Sequence, residues 1–257
     1  MNSAGLEVQS RNGKPPGKLL EVCVEDCAGL LAAQAGGAGR VELCSALGSG
    51  GLTPSAGMIE FAAGLKIPAM VLVRPRSGDF IYGSCELEIM ERDIGFAAKH
   101  HCAGVVIGAA AVDGSLDLVA LERLRTAAGN MEVCLNRVFD LTPDPFSALE
   151  RVIDLGFQRI LTSGQEVSAL AGCNLLAMLV EQAGARIEIL GAGGISPGNV
   201  EELIQTTGLE QIHASCRSVA PPGSAELARF GFADAERGQT TNENMVRNMA
   251  ARLNRLA

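Results

Sequence analysis

Two short stretches of the sequence each carry a carboxylate and a thiol at the same spacing. Glu21 stands two residues before Cys23, and Glu42 stands two residues before Cys44. The residues around them are mainly Val and Leu, which is typical of β-strands. Because side chains alternate between the two faces of a strand, each carboxylate lies on the same face as its thiol. The pattern therefore predicts two strands that face a polar interior.

Four side chains are of the types needed for acid–base chemistry on an anion. Glu21 or Glu42 would act as the general base. Arg74 would hold the anionic group, and His213 would act as the acid. A structural interpretation stays open beside this one, in which the carboxylates pair with arginines and the histidine is a satisfied buried residue.

A second set of residues, at the ends of the predicted strands, is suited to anion binding. Arginines supply positive charge, and glycines after a strand leave backbone N–H groups free to hold phosphate. Glycines are also required where a strand packs closely on a helix, so both interpretations stand. We expect phosphate or sulfate near Gly193, Gly194 and Ser163, with Arg217 close by. The full set of candidates is Arg76, Arg137, Ser163, Gly193, Gly194, Ser215 and Arg217.

These residues would be positioned by a recurring pattern along the chain. A short apolar run is followed by a polar loop, a helix-start signal and a helical stretch that ends near a glycine. The predicted strands are residues 19–24, 40–44, 69–73, 104–107, 132–136, 159–161, 187–190 and 211–213. Capping residues, several of them before proline, mark the helix starts. The predicted starts are Thr53, Ser84, Asp117, Asp144, Ser168, Ser196 and Asn242.

Strands that alternate with helices through short connections predict a single (β/α)8 TIM barrel, an α/β fold, over residues 19–257. An open doubly wound sheet is the alternative, but no Gly-x-Gly-x-x-Gly follows the first strand, which argues against its dinucleotide-binding version. We expect residues 1–18, which contain Pro15, Pro16 and Gly17, to form a flexible tail. In a barrel the working residues lie at the C-terminal ends of the strands. Six residues are therefore expected in one concavity, namely Glu21, Glu42, Arg74, Asn136, Ser163 and His213.

Composition narrows the classes of partner. The net charge is −8 and the pI is about 5.0, so nucleic acid and anionic membranes are not expected partners. No apolar stretch has the length of a membrane span. The first residues lack the apolar region of a signal peptide, which predicts a cytoplasmic protein. No Cys-x-x-Cys pair occurs, which argues against a structural zinc site or a thioredoxin-like redox pair.

Six segments, in order along the chain, resemble the signature segments of the CutC family. They read Glu-Val-Cys-Val-Glu, Val-Glu-Leu-Cys, Val-Arg-Pro-Arg-Ser-Gly-Asp-Phe, Asn-Arg-Val-Phe-Asp, Leu-Thr-Ser-Gly and Gly-Gly-Ile. The resemblance covers nearly all of residues 19–219. It implies a single-domain cytoplasmic barrel that forms a homodimer or homotetramer and takes part in copper homeostasis. Two departures stand out: Asn136 occupies the place of a family histidine, and Ala192 interrupts a run that is usually all glycine.

The resemblance also implies that Cys23 and Cys44 offer thiols to Cu(I), and soft sulfur ligands do select this ion. We expect these two residues at equivalent positions of adjacent strands, about 4.8 Å apart. Simple packing of the two thiols in the barrel is the alternative. For the whole chain two functions remain open. One is a copper homeostasis protein that binds Cu(I), and the other is a barrel enzyme, a lyase, isomerase or hydrolase, acting on a small anionic metabolite, phosphorylated or not.

Overall fold

Eight parallel strands close into a barrel in a computed structural model of the chain. The structure describes residues 18–219 and 239–256, together with Glu226, Arg229 and Phe230. Each strand pairs with the next in sequence, and β8 pairs with β1 to close the sheet. The strands are β1 (Leu19–Val24), β2 (Arg40–Leu43), β3 (Ala69–Leu72), β4 (Gly104–Ile107), β5 (Glu132–Leu135), β6 (Arg159–Thr162), β7 (Glu188–Gly191) and β8 (Gln211–Ala214). The predicted TIM barrel is confirmed, and the predicted strand bounds agree to within one residue at each end.

Helices cover the outside of the barrel. They are α1 (Cys27–Gly36), α2 (Ala56–Ala63), α3 (Ser84–Lys99), α4 (Leu118–Ala128), α5 (Pro145–Asp154), α6 (Cys173–Ala183), α7 (Val200–Thr207) and α8 (Glu243–Arg255). Outward-facing strand residues such as Val22, Val71 and Ile160 pack against buried helix residues in one large apolar cluster. Burial of these side chains is the main force that holds the helices to the sheet.

A separate, smaller apolar cluster fills part of the barrel interior. It consists of Cys44, Met70, Leu72, Val106, Cys134, Leu161, Leu190 and Ala192. These residues come from the inward faces of β2 to β7 and from the positions that follow those strands. Strands β1 and β2 contribute the buried charged groups Glu21, Arg40 and Glu42 instead, which confirms the predicted polar side of the interior.

Four of the predicted helix starts are wrong by a few residues. Ser55, rather than Thr53, accepts the capping hydrogen bond of α2. Gly83 precedes α3, which already includes Ser84, and the Glu86 side chain accepts a hydrogen bond from the Gly83 N–H. The predictions at Ser168 and Ser196 are too early, because α6 begins at Cys173 and α7 begins after Asn199.

The other capping predictions are confirmed. Asp117 caps α4, Asp144 caps α5 with proline in its first turn, and Asn242 caps α8. Gly208 ends α7 in the left-handed conformation that favours glycine.

Four further elements were not predicted. After β8 the chain forms β9 (Arg217–Val219), which pairs in antiparallel fashion with β10 (Gln239–Thr241). Two short 3₁₀ helices, Leu47–Ser49 and Arg137–Leu141, follow β2 and β5. Of the predicted N-terminal tail, residues 1–17 lie outside the described residues. Among the helices that the structure describes, none is long and apolar enough to cross a membrane.

Candidate functional site

A cavity of about 180 Å³ opens at the C-terminal ends of the strands, and we call it the mouth cavity. Its polar wall contains Glu42, Arg74, Asn136, Arg137 and His213. Its remaining lining is Cys23, Cys44, Leu47, Gly50, Leu72, Phe80 and Leu161. Four of the six residues expected in one concavity therefore line it. Glu21 and Ser163 do not, because Glu21 lies deeper in the barrel and Ser163 packs under the loop that follows β6.

Glu21 is a buried carboxylate with two partners. Its side chain is 2% exposed and accepts a hydrogen bond from the Arg40 guanidinium. The second oxygen accepts one from Nδ1 of His213 at 2.8 Å. Burial by itself would raise the pKa of Glu21, but the Arg40 charge and the His213 hydrogen bond lower it to about 2. Glu21 therefore stays ionised and fixes the orientation of the imidazole.

The His213 ring links this pair to the mouth cavity. Its Nε2 lies 3.7 Å from a carboxyl oxygen of Glu42, which is in β2. Burial lowers the pKa of His213, but Cys23, Glu21 and Glu42 together raise it well above its ordinary value. Burial also raises the pKa of Glu42. A histidine and a carboxyl group of this kind, both facing one cavity, can exchange a proton with a bound molecule.

The two cysteines are not at equivalent positions of their strands. In the register of β1 and β2, Cys23 is level with Glu42, and Cys44 lies two residues farther along. The expected spacing of about 4.8 Å for equivalent positions is therefore wrong for this pair, although both thiols line the mouth cavity. Burial and the nearby Glu42 raise the pKa of Cys44 well above its ordinary value. The described residues include no group of three or more His, Cys, Asp or Glu side chains arranged to hold a metal ion.

Arg74 is a buried guanidinium held by backbone carbonyl groups. Its nitrogens donate to the carbonyls of Ser49 at 3.1 Å, Gly51 at 2.9 Å and Gly78 at 2.7 Å. The guanidinium carbon lies 4.9 Å from the centre of the Phe80 ring, a cation–π distance. The loops after β2 and β3 are joined through this one side chain.

Asn136 takes the position that follows β5. The sequence resemblance described above implies histidine at this position, and this chain has asparagine instead. Its Oδ1 accepts a hydrogen bond from the Val138 N–H at 2.9 Å, which caps the 3₁₀ helix. The amide packs so closely over Gly108 that a Cβ there would meet Oδ1 at 2.1 Å. Gly108 therefore provides the space for Asn136 in the mouth.

Arg137 and Ser163 are connected by Asp140. The Asp140 carboxylate accepts hydrogen bonds from Arg137 Nε at 2.7 Å and from the backbone N–H of Ser163. Arg137 in turn donates to the Ser163 hydroxyl at 2.6 Å, and that hydroxyl donates to the carbonyl of Glu166. The charge of Arg137 is thus matched by a carboxylate.

The remaining anion-site candidates lie outside the mouth cavity. Arg76 pairs with Asp79 and Glu86, and Arg217 pairs with Glu25. Gly193 packs against the Ser163 side chain, and Gly194 accepts a hydrogen bond from Asn199 at its carbonyl. Ser215 follows β8 and is not part of the cavity lining.

Sequence reasoning missed the roles of Arg40, Gly108 and Asp140. Arg40 stands two residues before Glu42, so strand alternation already indicates that it faces the interior. No comparable signal marks Gly108, because only the packing of Asn136 shows why that position needs glycine.

The ionisation of Glu21 makes stability depend on pH. The pKa is lowered in the folded state, so the stabilisation is present above the unfolded value of 4.5 and is lost as pH falls towards 2. Urea unfolding across this range should show the free energy of unfolding decreasing. Glu21→Gln should show a smaller decrease over the same range, and equal decreases in both proteins would contradict the assignment.

Eight parallel strands, outer helices and a charged cavity at the strand ends define the chain as a TIM-barrel protein. Within that class it belongs to the CutC family, whose sequence profile matches residues 18–218. A protein of Rhizobium meliloti (strain 1021) named "family protein CutC" is 46% identical over 234 residues, which cover 91% of this chain and 95% of that protein. A protein of the same name from Agrobacterium fabrum is 47% identical over 233 residues, 90% of this chain and 92% of that protein.

Solved structures agree with this assignment. A crystal structure of CutC from Streptococcus agalactiae, a protein named for copper homeostasis, is 33% identical with a TM-score of 0.74. The match covers 77% of this chain and 98% of that one. Phosphoribosyl anthranilate isomerase from Thermococcus kodakaraensis shares the fold, with a TM-score of 0.57 at 14% identity over 91% of this chain and 97% of that one.

Proposed function

We propose that this chain is a copper homeostasis protein that binds Cu(I) through Cys23 and Cys44. The observation that carries the proposal is that both thiols line one buried cavity. The name of the Streptococcus agalactiae relative supports the copper assignment. The cytoplasmic location and the homodimer or homotetramer belong to the same proposal and rest on the family resemblance.

The donor set fits a monovalent soft ion better than a divalent one. Two sulfurs suffice for a two-coordinate Cu(I) site, whereas Zn²⁺ in proteins usually has four ligands. Because Cys44 lies two residues beyond the level of Cys23, the ion would lie obliquely between the two strands. Metal binding would displace the proton of the Cys44 thiol, whose pKa is raised by burial, so Cu(I) affinity should rise with pH.

A competition titration with a Cu(I) chelator under reducing conditions tests the thiol pair. We expect Cys23→Ser and Cys44→Ser each to weaken Cu(I) binding by about tenfold or more, since each removes one of two soft ligands. Cys102→Ser is the matched control, because Cys102 is also buried but lies outside the mouth cavity. Unchanged affinity in both mouth variants, or equal loss in the control, would contradict the proposal.

A second candidate function is an enzyme that acts on a small anionic metabolite. It is favoured by His213, which lies between the carboxyl groups of Glu21 and Glu42 and faces the same cavity as Arg74. In this arrangement Glu21 orients the ring from below, and His213 and Glu42 exchange protons with the bound molecule. Of the two candidates for general base, Glu21 or Glu42, this proposal assigns that role to Glu42 and treats Glu21 as a positioning residue.

A further inference from the structure

The mouth cavity has a buried positive charge that no carboxylate of the described residues contacts. Arg74 is 6% exposed, and within the part of the chain that the structure describes no carboxylate pairs with it. Its Nε also lacks a hydrogen-bond acceptor among those residues. A buried charge without a counter-charge is costly, and proteins keep such groups mainly where a partner arrives.

The other cations around the cavity contact carboxylates. Glu21 is matched by Arg40, and Arg137 is matched by Asp140. His213 lies between two carboxyl groups, 2.8 Å from an oxygen of Glu21 and 3.7 Å from an oxygen of Glu42. Arg74 is therefore the one cation of the described cavity wall that has no carboxylate partner. One negative charge on a ligand would balance it.

Asn136 offers a second contact for an anion. Its Oδ1 is occupied by the Val138 N–H. Its Nδ2 donates to no residue in the described ranges, and the side chain lines the cavity with Arg74. An amide N–H near an arginine is a suitable donor to a carboxylate oxygen, which accepts several hydrogen bonds.

The size and the remaining lining limit what can bind. A volume of about 180 Å³ is below the roughly 300–1,000 Å³ of pockets for drug-sized ligands, so the ligand is a small molecule. Leu72, Leu161 and Phe80 supply apolar surface to the same cavity, and His213 supplies a further polar group. The lining therefore suits a small ligand with a charged end, a short carbon body and a polar group.

We propose that the mouth cavity binds a three- or four-carbon monocarboxylate that carries a hydroxyl or oxo group. The carboxylate lies near Arg74 and Asn136, and the hydroxyl or oxo group faces His213 and Glu42. A dianion such as a phosphate monoester would bring a second negative charge, whereas the other cations of the described wall, Arg137 and His213, already contact carboxylates. This proposal names a ligand class for the second candidate function, the enzyme. Any reaction of the ligand rests on that function, whereas binding of the ligand is argued from the cavity alone.

Calorimetric titration of the full chain, metal-free and under reducing conditions, tests the ligand class. The probes are L-lactate and pyruvate, compared with neutral lactamide, malonate and inorganic phosphate. We expect at least one of the two monocarboxylates to bind about tenfold or more tightly than each comparator. Absence of binding by both monocarboxylates, or equally tight binding of malonate or phosphate, would overturn the proposal.

Variants of the same chain test the residues. Asn136→Asp keeps the oxygen that caps Val138 but replaces the amide donor with a negative charge, so monocarboxylate binding should weaken about tenfold or more. Arg74→Met should weaken it similarly, and Arg76→Met is the matched control because Arg76 is outside the cavity and already paired. Thermal unfolding monitors whether each variant folds. Unchanged affinity in a folded Asn136→Asp protein would refute the placement of the carboxylate.

The outcomes separate this proposal from the two functions above. If the Cys23→Ser/Cys44→Ser variant no longer binds Cu(I) but still binds the monocarboxylate, the result supports the Cu(I) site and the carboxylate site as separate sites. Binding of the monocarboxylate without any turnover would contradict the second candidate function, the enzyme, and would support the proposed binding site. Loss of Cu(I) binding has no bearing on the carboxylate result, because the latter is measured without metal.

Discussion

Arg40→Met is expected to lower the free energy of unfolding by about 3–5 kcal/mol, because the buried Glu21 carboxylate loses its guanidinium partner and keeps only the His213 contact. Glu21 is 2% exposed, so water cannot replace the lost partner. Arg40 also donates to Gln211 at 2.9 Å, and that hydrogen bond is lost too. Urea unfolding followed by far-ultraviolet circular dichroism measures the change.

Two further variants show whether burial of the charge is the cause. Glu21→Gln/Arg40→Met removes both charges and should recover part of the loss, since the penalty comes from an unpaired ion rather than from the missing pair. Arg92→Met breaks the exposed pair with Glu88 and should cost about 1 kcal/mol or less. A double variant no more stable than Arg40→Met would show that lost packing, not charge, explains the effect.

Gly172→Ala is expected to destabilise the protein by about 3 kcal/mol, because backbone lies where the new methyl group would go. A Cβ at Gly172 would be 2.1 Å from the Ser163 carbonyl oxygen and 2.9 Å from that of Gly164. Neither contact can be relieved by rotating a side chain. The loop after β6 would have to move, and with it the Ser163 and Asp140 contacts that hold Arg137 at the mouth.

Gly95→Ala is the matched control for this substitution. Gly95 lies in α3, and a Cβ there would meet no atom within 4 Å. Alanine should therefore stabilise the helix by about 0.5–1 kcal/mol. Chemical denaturation of the two variants beside the unchanged protein gives both values. A Gly172→Ala protein as stable as the parent would mean that this loop tolerates a shift without cost.

Much of the barrel could be predicted because its strands are short apolar runs at regular spacing. Helix starts were harder, because a capping hydroxyl can be used elsewhere. Thr53 stands before a proline, but its hydroxyl accepts the Arg74 N–H at 2.9 Å and donates to the Arg74 carbonyl. It therefore joins the end of β3 to the preceding loop, and Ser55 caps the helix instead. Local sequence does not show such a contact.

The alignment of the two Glu-x-Cys stretches against each other also could not be predicted from the sequence. Strands in a closed barrel tilt against the axis, so equivalent sequence positions on neighbouring strands are staggered. This stagger sets Cys23 level with Glu42 instead of Cys44. Likewise, Arg76 was a candidate for anion binding at the end of the third strand, but β3 ends at Leu72 and the following loop places Arg76 against Asp79 and Glu86. Most of the polar residues that line the mouth cavity were predicted from the sequence, but the contacts among them were not.

The attachment of Arg74 to three backbone carbonyls has a consequence for recognition. A free arginine side chain loses about 2 kcal/mol of rotamer entropy when a ligand immobilises it. Here the carbonyls of Ser49, Gly51 and Gly78 have already fixed the guanidinium during folding. The site is thus preorganised, and an incoming anion meets a charge that does not need to be ordered. Differences in affinity between ligands should then reflect mainly the free energy of desolvating each ligand.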